Sequence, residues 1–353
     1  SQPLAEAGFH VICAHCDSPT FRIKPNAEIT CEKGIVKLNT ELYGGAIMST
    51  WFDRPLSLAG RVILRSDDAM NPTTRLLHIR RPLLQIPNLA IHFNREVNDG
   101  VKLSKQKDML PLLGIVTEEM EKDQLLINLI AEELLVEKAQ IIDFDLYLYD
   151  TTPPCTFGLH NEFLSAGRLD DLSMVHAGLT ALLESEDNPK ATRILAIFDN
   201  EETGSQTKQG AGSPFLASLI QRLVMAQGGG TEGFYQAVQR LASNYSDKYD
   251  PTNHPLLGGG PVIKFNAAQK YASDAVSAAV FQQLCEQAGV PCQRFVNHSD
   301  VAGGSTLGNI LASSIPLRGV DMGNPILAMH SIRETGACID HDYCIKAFKQ
   351  FYK

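Results

Sequence analysis

The feature that most constrains this chain is a change of texture at Pro153-Pro154. Before it, from about Ile23 to Tyr149, short β-like pieces alternate with Gly, Pro and Asn turn signals. The pieces are Gly34-Ile-Val-Lys-Leu, Gly60-Arg-Val-Ile-Leu, Leu89-Ala-Ile-His-Phe and Ile141–Tyr149. Many short strands with such punctuation predict a mainly β module. Its one helix is expected over Asp123–Leu135, where Leu125, Leu126, Leu129, Ile130 and Leu134 fall at helical spacing. After the break, helical patterns over Leu172–Glu184, Pro214–Met225, Asp274–Ala288 and Asp340–Tyr352 alternate with strand-like Thr192–Phe198, Arg294–Val296 and Ile315–Val320. Gly303–Ala312 reads as a Gly-punctuated helix start. Alternation of that kind predicts an α/β fold, with a mainly parallel sheet covered by helices on both faces. Phe9–Cys13 adds a strand upstream of the β module. The expected organisation is therefore a discontinuous α/β domain, residues 1–24 and 151–353, with a mainly β domain inserted at 25–150.

Length agrees: 353 residues at roughly 150 per domain make two domains. The 44% hydrophobic and 20% charged content suits buried cores under a water-facing surface. The longest apolar runs, such as Ile194–Phe198, are strand-sized, far short of the ~20 residues of a membrane span. No basic stretch precedes an apolar one as in a secretory signal. The chain opens at Ser1 without Met and reaches strand-like residues by Phe9, so it reads as a fragment or as a start that was not observed. The net charge of −9 comes without a Lys/Arg cluster, which argues against nucleic acid as the partner. Eight cysteines are scattered rather than dense, so they read as reduced thiols in a cytoplasmic protein. Gly228–Thr231 reads as a loop, and Gly258-Gly-Gly-Pro261 lacks the Lys-Ser/Thr ending of a phosphate-binding loop.

Four segments bring histidines and carboxylates to strand ends. His15-Cys-Asp17 follows the first strand, and in extended chain residues two apart share a face. Asp17 can then hydrogen-bond the ring nitrogen of His15 that does not face a metal. Cys13-x-x-Cys16 is the weaker motif here, because positions 13 and 16 of a strand point to opposite faces. In Arg168-Leu-Asp170-Asp171, Asp171 is expected to cap the following helix, leaving Asp170 to bridge two cations. The strongest signal is Ile194-Leu-Ala-Ile-Phe-Asp199-Asn-Glu201-Glu202. There a buried strand delivers adjacent carboxylates at its C-terminal end, where open α/β sheets place their sites. Adjacent carboxylates repel unless cations or solvent relieve them. That splits the pair into Glu202 as metal ligand and Glu201 as keeper of the proton of a metal-bound water. His330, in Met329-His330-Ser331, gains weight as a ligand only beside the other three.

Imidazole and carboxylate without thiolate suit a catalytic zinc or manganese site. Two cations roughly 3.5–4 Å apart that share a carboxylate and a water generate hydroxide near neutral pH and polarise a carbonyl. Glu201 would serve as general base.

These segments, in order with Tyr43-Gly-Gly, Ile86-Pro-Asn-Leu-Ala-Ile-His92, Gly259-Gly-Pro-Val-Ile-Lys264 and Ala328-Met-His-Ser-Ile-Arg-Glu334, span nearly the whole chain. In them the chain closely resembles the aspartyl aminopeptidases, metallopeptidases of the zinc-exopeptidase fold with an inserted β domain. The resemblance implies two divalent ions, zinc with manganese or cobalt as alternatives. It implies Asp170 as bridging ligand, Glu202 and His330 completing one metal site, and His15 in the other. It also implies Glu201 as general base, with Asp17 orienting His15. Lys264 would lie near the pocket for an acidic first residue, and His92 would reach a neighbouring subunit's site. On the residues alone Lys264 is equally an ordinary lysine, and His92 a strand histidine. The implied activity is removal of N-terminal Asp or Glu from small peptides by a metal-bridging hydroxide, in a homo-oligomer, a dodecamer by resemblance, with no membrane partner. Rivals are an aminopeptidase of the same fold for neutral residues and a catalytically degenerate oligomeric binding protein.

One departure bears on the second rival. Relatives carry a strand ending in Ser-Ala-Asp-x-Ala-His, whose Asp is the terminal ligand of the His15 metal. Here Gln239-Arg-Leu-Ala-Ser-Asn-Tyr245 runs into Ser246-Asp-Lys-Tyr-Asp-Pro251, with no Asp between Glu232 and Asp247. A sheet strand and a ligand are both expected to be missing.

Overall fold

Nearly every side chain of β1 (Phe9–His15) is buried, because alternate residues feed two different cores. Phe9, Val11 and Cys13 pack into one, and Ile12 and Ala14 into the other. Each buried aliphatic side chain contributes about 1.5–3 kcal/mol, so a strand apolar on both faces is held at the centre of a sheet. In this computed structural model, which describes residues 7–31, 34–116, 124–186, 189, 191–227, 241–243, 250, 252–300, 303–316 and 318–353, β1 pairs in parallel with β10 (Thr192–Phe198). The register runs from Phe9↔Thr192 to His15↔Phe198, so both strands end level.

The sheet continues through β11 (Leu241–Ser243), β14 (Gly319–Gly323), β12 (Val262–Phe265) and β13 (Gln293–Val296), in the order β10-β1-β11-β14-β12-β13. All its pairings are parallel except β12 with β14. The expectation of a missing strand is corrected: Leu241–Ser243 occupies the place between β1 and β14, pairing with both. Three residues suffice there because the neighbouring strands supply the ladder on either side. Gly228–Thr231 and most of Gln239–Tyr245 lie outside the described residues.

Helices α2 (Leu169–Glu184), α4 (Ala275–Ala288) and α6 (Cys338–Phe351) bury Met174, Ala177, Phe281, Ala347 and Phe348 with Ile12 and Ala14 on one face. Helices α3 (Phe215–Ala226) and α5 (Leu307–Ser314) bury Leu216, Ile220, Leu307 and Leu311 with Val11 and Cys13 on the other. A second sheet, β15 (Ile326–Leu327), β16 (Glu334–Ala337), β9 (Phe163–Ala166) and β8 (Cys155–Phe157), is antiparallel throughout.

The chain divides into two compact units: residues 1–18, 154–329 and 333–353 in the first, and 19–153 with 330–332 in the second. The second holds β2 (Thr20–Thr30), β3 (Ile35–Tyr43), β4 (Leu56–Leu64), β5 (Thr73–His78), β6 (Leu112–Ile115) and β7 (Ile141–Asp150). They form an antiparallel sheet in the order β5-β4-β7-β2-β3-β6. Helix α1 (Leu125–Leu134) buries Leu126, Ile130 and Leu134 in the same core as Leu58, Val62, Leu146 and Leu148. Mainly parallel pairing therefore describes one sheet of three. Short connections, such as the one between β8 and β9, can join only antiparallel neighbours.

Two local expectations also change. Leu89–Phe93 is not a strand: Ile91–Phe93 is a single 3₁₀ turn with His92 exposed. Leu89, Ile91 and Phe93, which a strand would carry together on one buried face, are all exposed, at 58%, 53% and 80%. The helix expected from Leu172 is reached through an irregular start at Leu169, with Asp170 and Asp171 in non-helical backbone just before it. Among the described residues no helix is long and apolar enough to cross a membrane.

Candidate metal centre

Because β1 and β10 end level, the residues that follow them meet at one edge of the first unit's sheet. His15 is the last residue of β1 and is fully buried. Its Nδ1 lies 3.0 Å from the carbonyl oxygen of Asp17 and 3.1 Å from Asp17 Oδ1. Both partners are acceptors, so Nδ1 carries a proton. The other ring nitrogen, Nε2, lies 3.3 Å from Asp170 Oδ1. The backbone N–H of His15 donates to Asp171 Oδ2 at 3.2 Å.

Asp17 also receives the backbone N–H groups of Glu201 and Glu202, at 3.1 Å each. Beyond β10, Asn200 adopts left-handed backbone and Glu201–Thr203 makes a 3₁₀ turn. That turn aims two backbone donors at one carboxylate. One side chain thus fixes both the imidazole of β1 and the acidic turn after β10.

Asp170 and Asp171 open α2 in non-helical backbone, and both are buried. Asp170 is positioned from two sides: its N–H donates to Glu334 Oε2 at 3.0 Å, and its carbonyl accepts from Ser18 Oγ at 3.1 Å. Ligand atoms of His15, Asp170 and Asp171 lie within 4.8 Å of one another, as do those of His15, Glu201 and Glu202.

The electrostatics match a cation site. Burial opposes a charge on His15, but its bonds to Asp17 and Asp170 and the nearby Asp171 outweigh it and hold the imidazole well above its usual pKa. Burial pushes the carboxyl of Asp171 up, against the pull of His15. Concentrated negative charge that raises a histidine in this way equally favours a divalent ion in place of its proton. The donor set of imidazole nitrogen and carboxylate oxygen, without thiolate, fits zinc in a catalytic role.

Lys264, on β12, is fully buried and lies 6.0 Å from the ring centroid of Tyr271. Burial lowers its pKa to about 8, opposed by Asp321, Asp170, Asp171 and Glu201. Asp321, on β14, is fully buried and accepts from the Ala272 N–H at 2.5 Å and from Thr306 Oγ1 at 2.8 Å. His330 belongs with Ser331 and Ile332 to the second unit, while Met329 and Arg333 on either side belong to the first. Its Nδ1 lies 3.2 Å from the Gly45 carbonyl; a carbonyl only accepts, so Nδ1 donates and Nε2 presents a lone pair. His92 lies in the second unit, exposed.

Sequence reasoning did not single out Asp321 or Glu334 as positioning groups, nor Asp171 as the anchor of His15. For Asp321 the one signal was its charge inside an apolar segment: Gly319-Val-Asp-Met-Gly is buried along its length.

These residues define a divalent-metal hydrolase centre on an α/β sheet. Comparison with known proteins gives the family. Residues 2–352 match the family model "Aminopeptidase I zinc metalloprotease (M18)". The chain is 51% identical over 360 residues to "Probable M18 family aminopeptidase 2" of Clostridium acetobutylicum, covering 99% of this chain and 83% of that one. Among solved structures it is similar to the chain in "Cryo-EM structure of the Ape4 and Nbr1 complex", with a TM-score of 0.91 and 34% identity, over 98% of this chain and 71% of that one. It is also similar to "Structure of S. cerevesiae mApe1 dodecamer", with a TM-score of 0.79 and 25% identity, over 99% and 80%. The chain belongs to the M18 family of zinc metalloproteases and is a metallo-aminopeptidase.

Proposed function

We propose that this aminopeptidase removes N-terminal Asp or Glu from small peptides with two divalent ions, zinc by preference and manganese or cobalt as substitutes. The observation that carries the reading is the meeting of His15, Asp170, Glu201 and Glu202 at the level ends of β1 and β10. Asp170 would be the shared ligand, His15 would hold one ion, and Glu202 with His330 would hold the other. When bound, the ions acidify a water and polarise the scissile carbonyl. Glu201 takes the proton of the attacking water and passes it to the leaving amine. Asp17 keeps Nδ1 of His15 protonated, so that Nε2 faces the metal. Lys264 provides the buried positive charge that an acidic first side chain needs, and burial strengthens such a charge-assisted bond.

The second unit serves oligomerisation and access to the site. Exposed Leu89, Ile91 and Phe93 surround His92, an apolar patch suited to burial against another subunit. A dodecamer like the one named for the yeast protein brings His92 to a neighbour's site. Free cysteines throughout fit a reducing, cytoplasmic setting.

The experiment is hydrolysis of matched Asp-, Glu- and Leu-initiated dipeptides by chelated enzyme and by enzyme restored with zinc, manganese or cobalt. Metal-dependent cleavage favouring Asp and Glu is expected. Preference for Leu would keep the chemistry and remove the acidic specificity. No cleavage by folded, metal-restored protein would overturn the catalytic assignment and point to the aspartate lacking between Glu232 and Asp247.

A further inference from the structure

A second pair of imidazoles lies apart from this centre. His176 on α2 and His341 on α6 approach with Nδ1 of His176 2.9 Å from Nε2 of His341, and with ring centroids 5.0 Å apart. They border a cavity of about 280 Å³ whose other walls include Arg168, Leu172, Pro325 and Ile326. His176 is exposed, and His341 is partly buried with its Nδ1 shut off from solvent and, among the described residues, without a hydrogen-bond partner. A structural histidine pair is ordinarily satisfied at every buried nitrogen. This one is not satisfied in either tautomer of His341.

We infer that His176 and His341 form a bidentate site for a divalent transition metal of the copper or nickel type. The two nitrogens that face each other, joined by one shared proton, are the two a metal would use in that proton's place. With metal–nitrogen bonds of about 2.0–2.1 Å, the 2.9 Å separation subtends about 90° at the ion. Right-angle coordination belongs to tetragonal copper(II) and nickel(II), whereas a tetrahedral zinc would need the nitrogens about 3.3 Å apart. The cavity leaves room for water in the remaining positions. Burial and the neighbouring His176 hold His341 below its usual pKa, with Asp342 opposing. The ring is therefore in its neutral, ligating form at pH 7. Helices α2 and α6 are packed together through Ala177, Ala347 and Phe348, so both ligands stand on a rigid frame.

The test uses full-length protein with its catalytic centre loaded with zinc and free metal removed. Nickel titrated by calorimetry should bind at one equivalent per chain without releasing zinc. Copper at that site should give a tetragonal electron paramagnetic resonance spectrum with hyperfine structure from two nitrogens. His176→Ala, at an exposed position, should fold normally and cleave peptides as before while losing the nickel isotherm and the two-nitrogen spectrum. His341→Gln should lose both as well. Identical nickel stoichiometry and copper spectra in wild type and His176→Ala would overturn the inference. So would a wild type that binds nickel only by displacing zinc.

Discussion

Asp17 Oδ1 lies 3.1 Å from Nδ1 of His15, and the same carboxylate receives the N–H groups of Glu201 and Glu202. Removing it therefore loosens two parts of the centre together. Asp17→Ala is expected to weaken zinc binding about 10–100-fold, the usual cost of losing a group that orients a ligating histidine. Competition with a chromophoric chelator measures it. Unchanged affinity would mean that His15 is held by Asp171 alone.

Glu201 is not needed to hold metal in this assignment, so Glu201→Gln separates binding from chemistry. Turnover should fall about 10²–10⁴-fold while bound metal, counted by elemental analysis, stays the same. Loss of metal with activity would make Glu201 a ligand instead.

Lys264→Met keeps length and removes the charge. The kcat/KM for Asp-initiated peptides should fall about 10–100-fold, the worth of a charge-assisted hydrogen bond. Leu-initiated peptides should be affected much less. An equal fall for both would show that Lys264 supports the metal centre rather than the specificity.

Gly60 tests the β unit alone. It sits on β4 with φ +155, where an added Cβ would run into the carbonyl oxygen of Asp145 on β7. Gly60→Ala should destabilise the fold by about 1–3 kcal/mol, read as a lower urea midpoint.

His341 gives the molecule an acid sensitivity of known sign. Its folded pKa is depressed by burial, then by His176, with Asp342 opposing. The folded protein therefore binds fewer protons here than the unfolded chain. This stability is present above the unfolded value of about 6.5 and is lost as pH falls through the folded value. Thermal melts from pH 7.5 to 5.5 should show a smaller decline in His341→Gln than in wild type.

The long helices after Pro154 were legible because periodicity reports burial, and the strand over Thr192–Phe198 because Ile194–Phe198 is one uninterrupted apolar run. The acidic turn after it was legible because adjacent carboxylates stand out chemically. Pairing direction was less so: β8, β9, β15 and β16 are two to four residues long, too short for any period to show. For Asp171 the sequence offered only a local role, that of an acid before a helix. Its bond from the N–H of His15 spans 156 residues of chain, and no local pattern carries that contact. The 3₁₀ turn at Ile91–Phe93 was hidden for a related reason: its apolar residues are exposed in the isolated chain, so their hydrophobicity does not report a strand.

The level ends of β1 and β10 have a consequence for biosynthesis. Glu202 leaves the ribosome 187 residues after His15, a lag of about 10–40 s at ordinary rates of elongation. Throughout that interval the nascent chain has His15 without the acidic turn whose N–H groups hold Asp17 beside it. The sheet is not complete until Gly323 has been made. Tight zinc capture is thus a late event, timed by the slowest long-range strand pairing. A pulse-labelled chain released early should hold no metal, whatever the zinc supply.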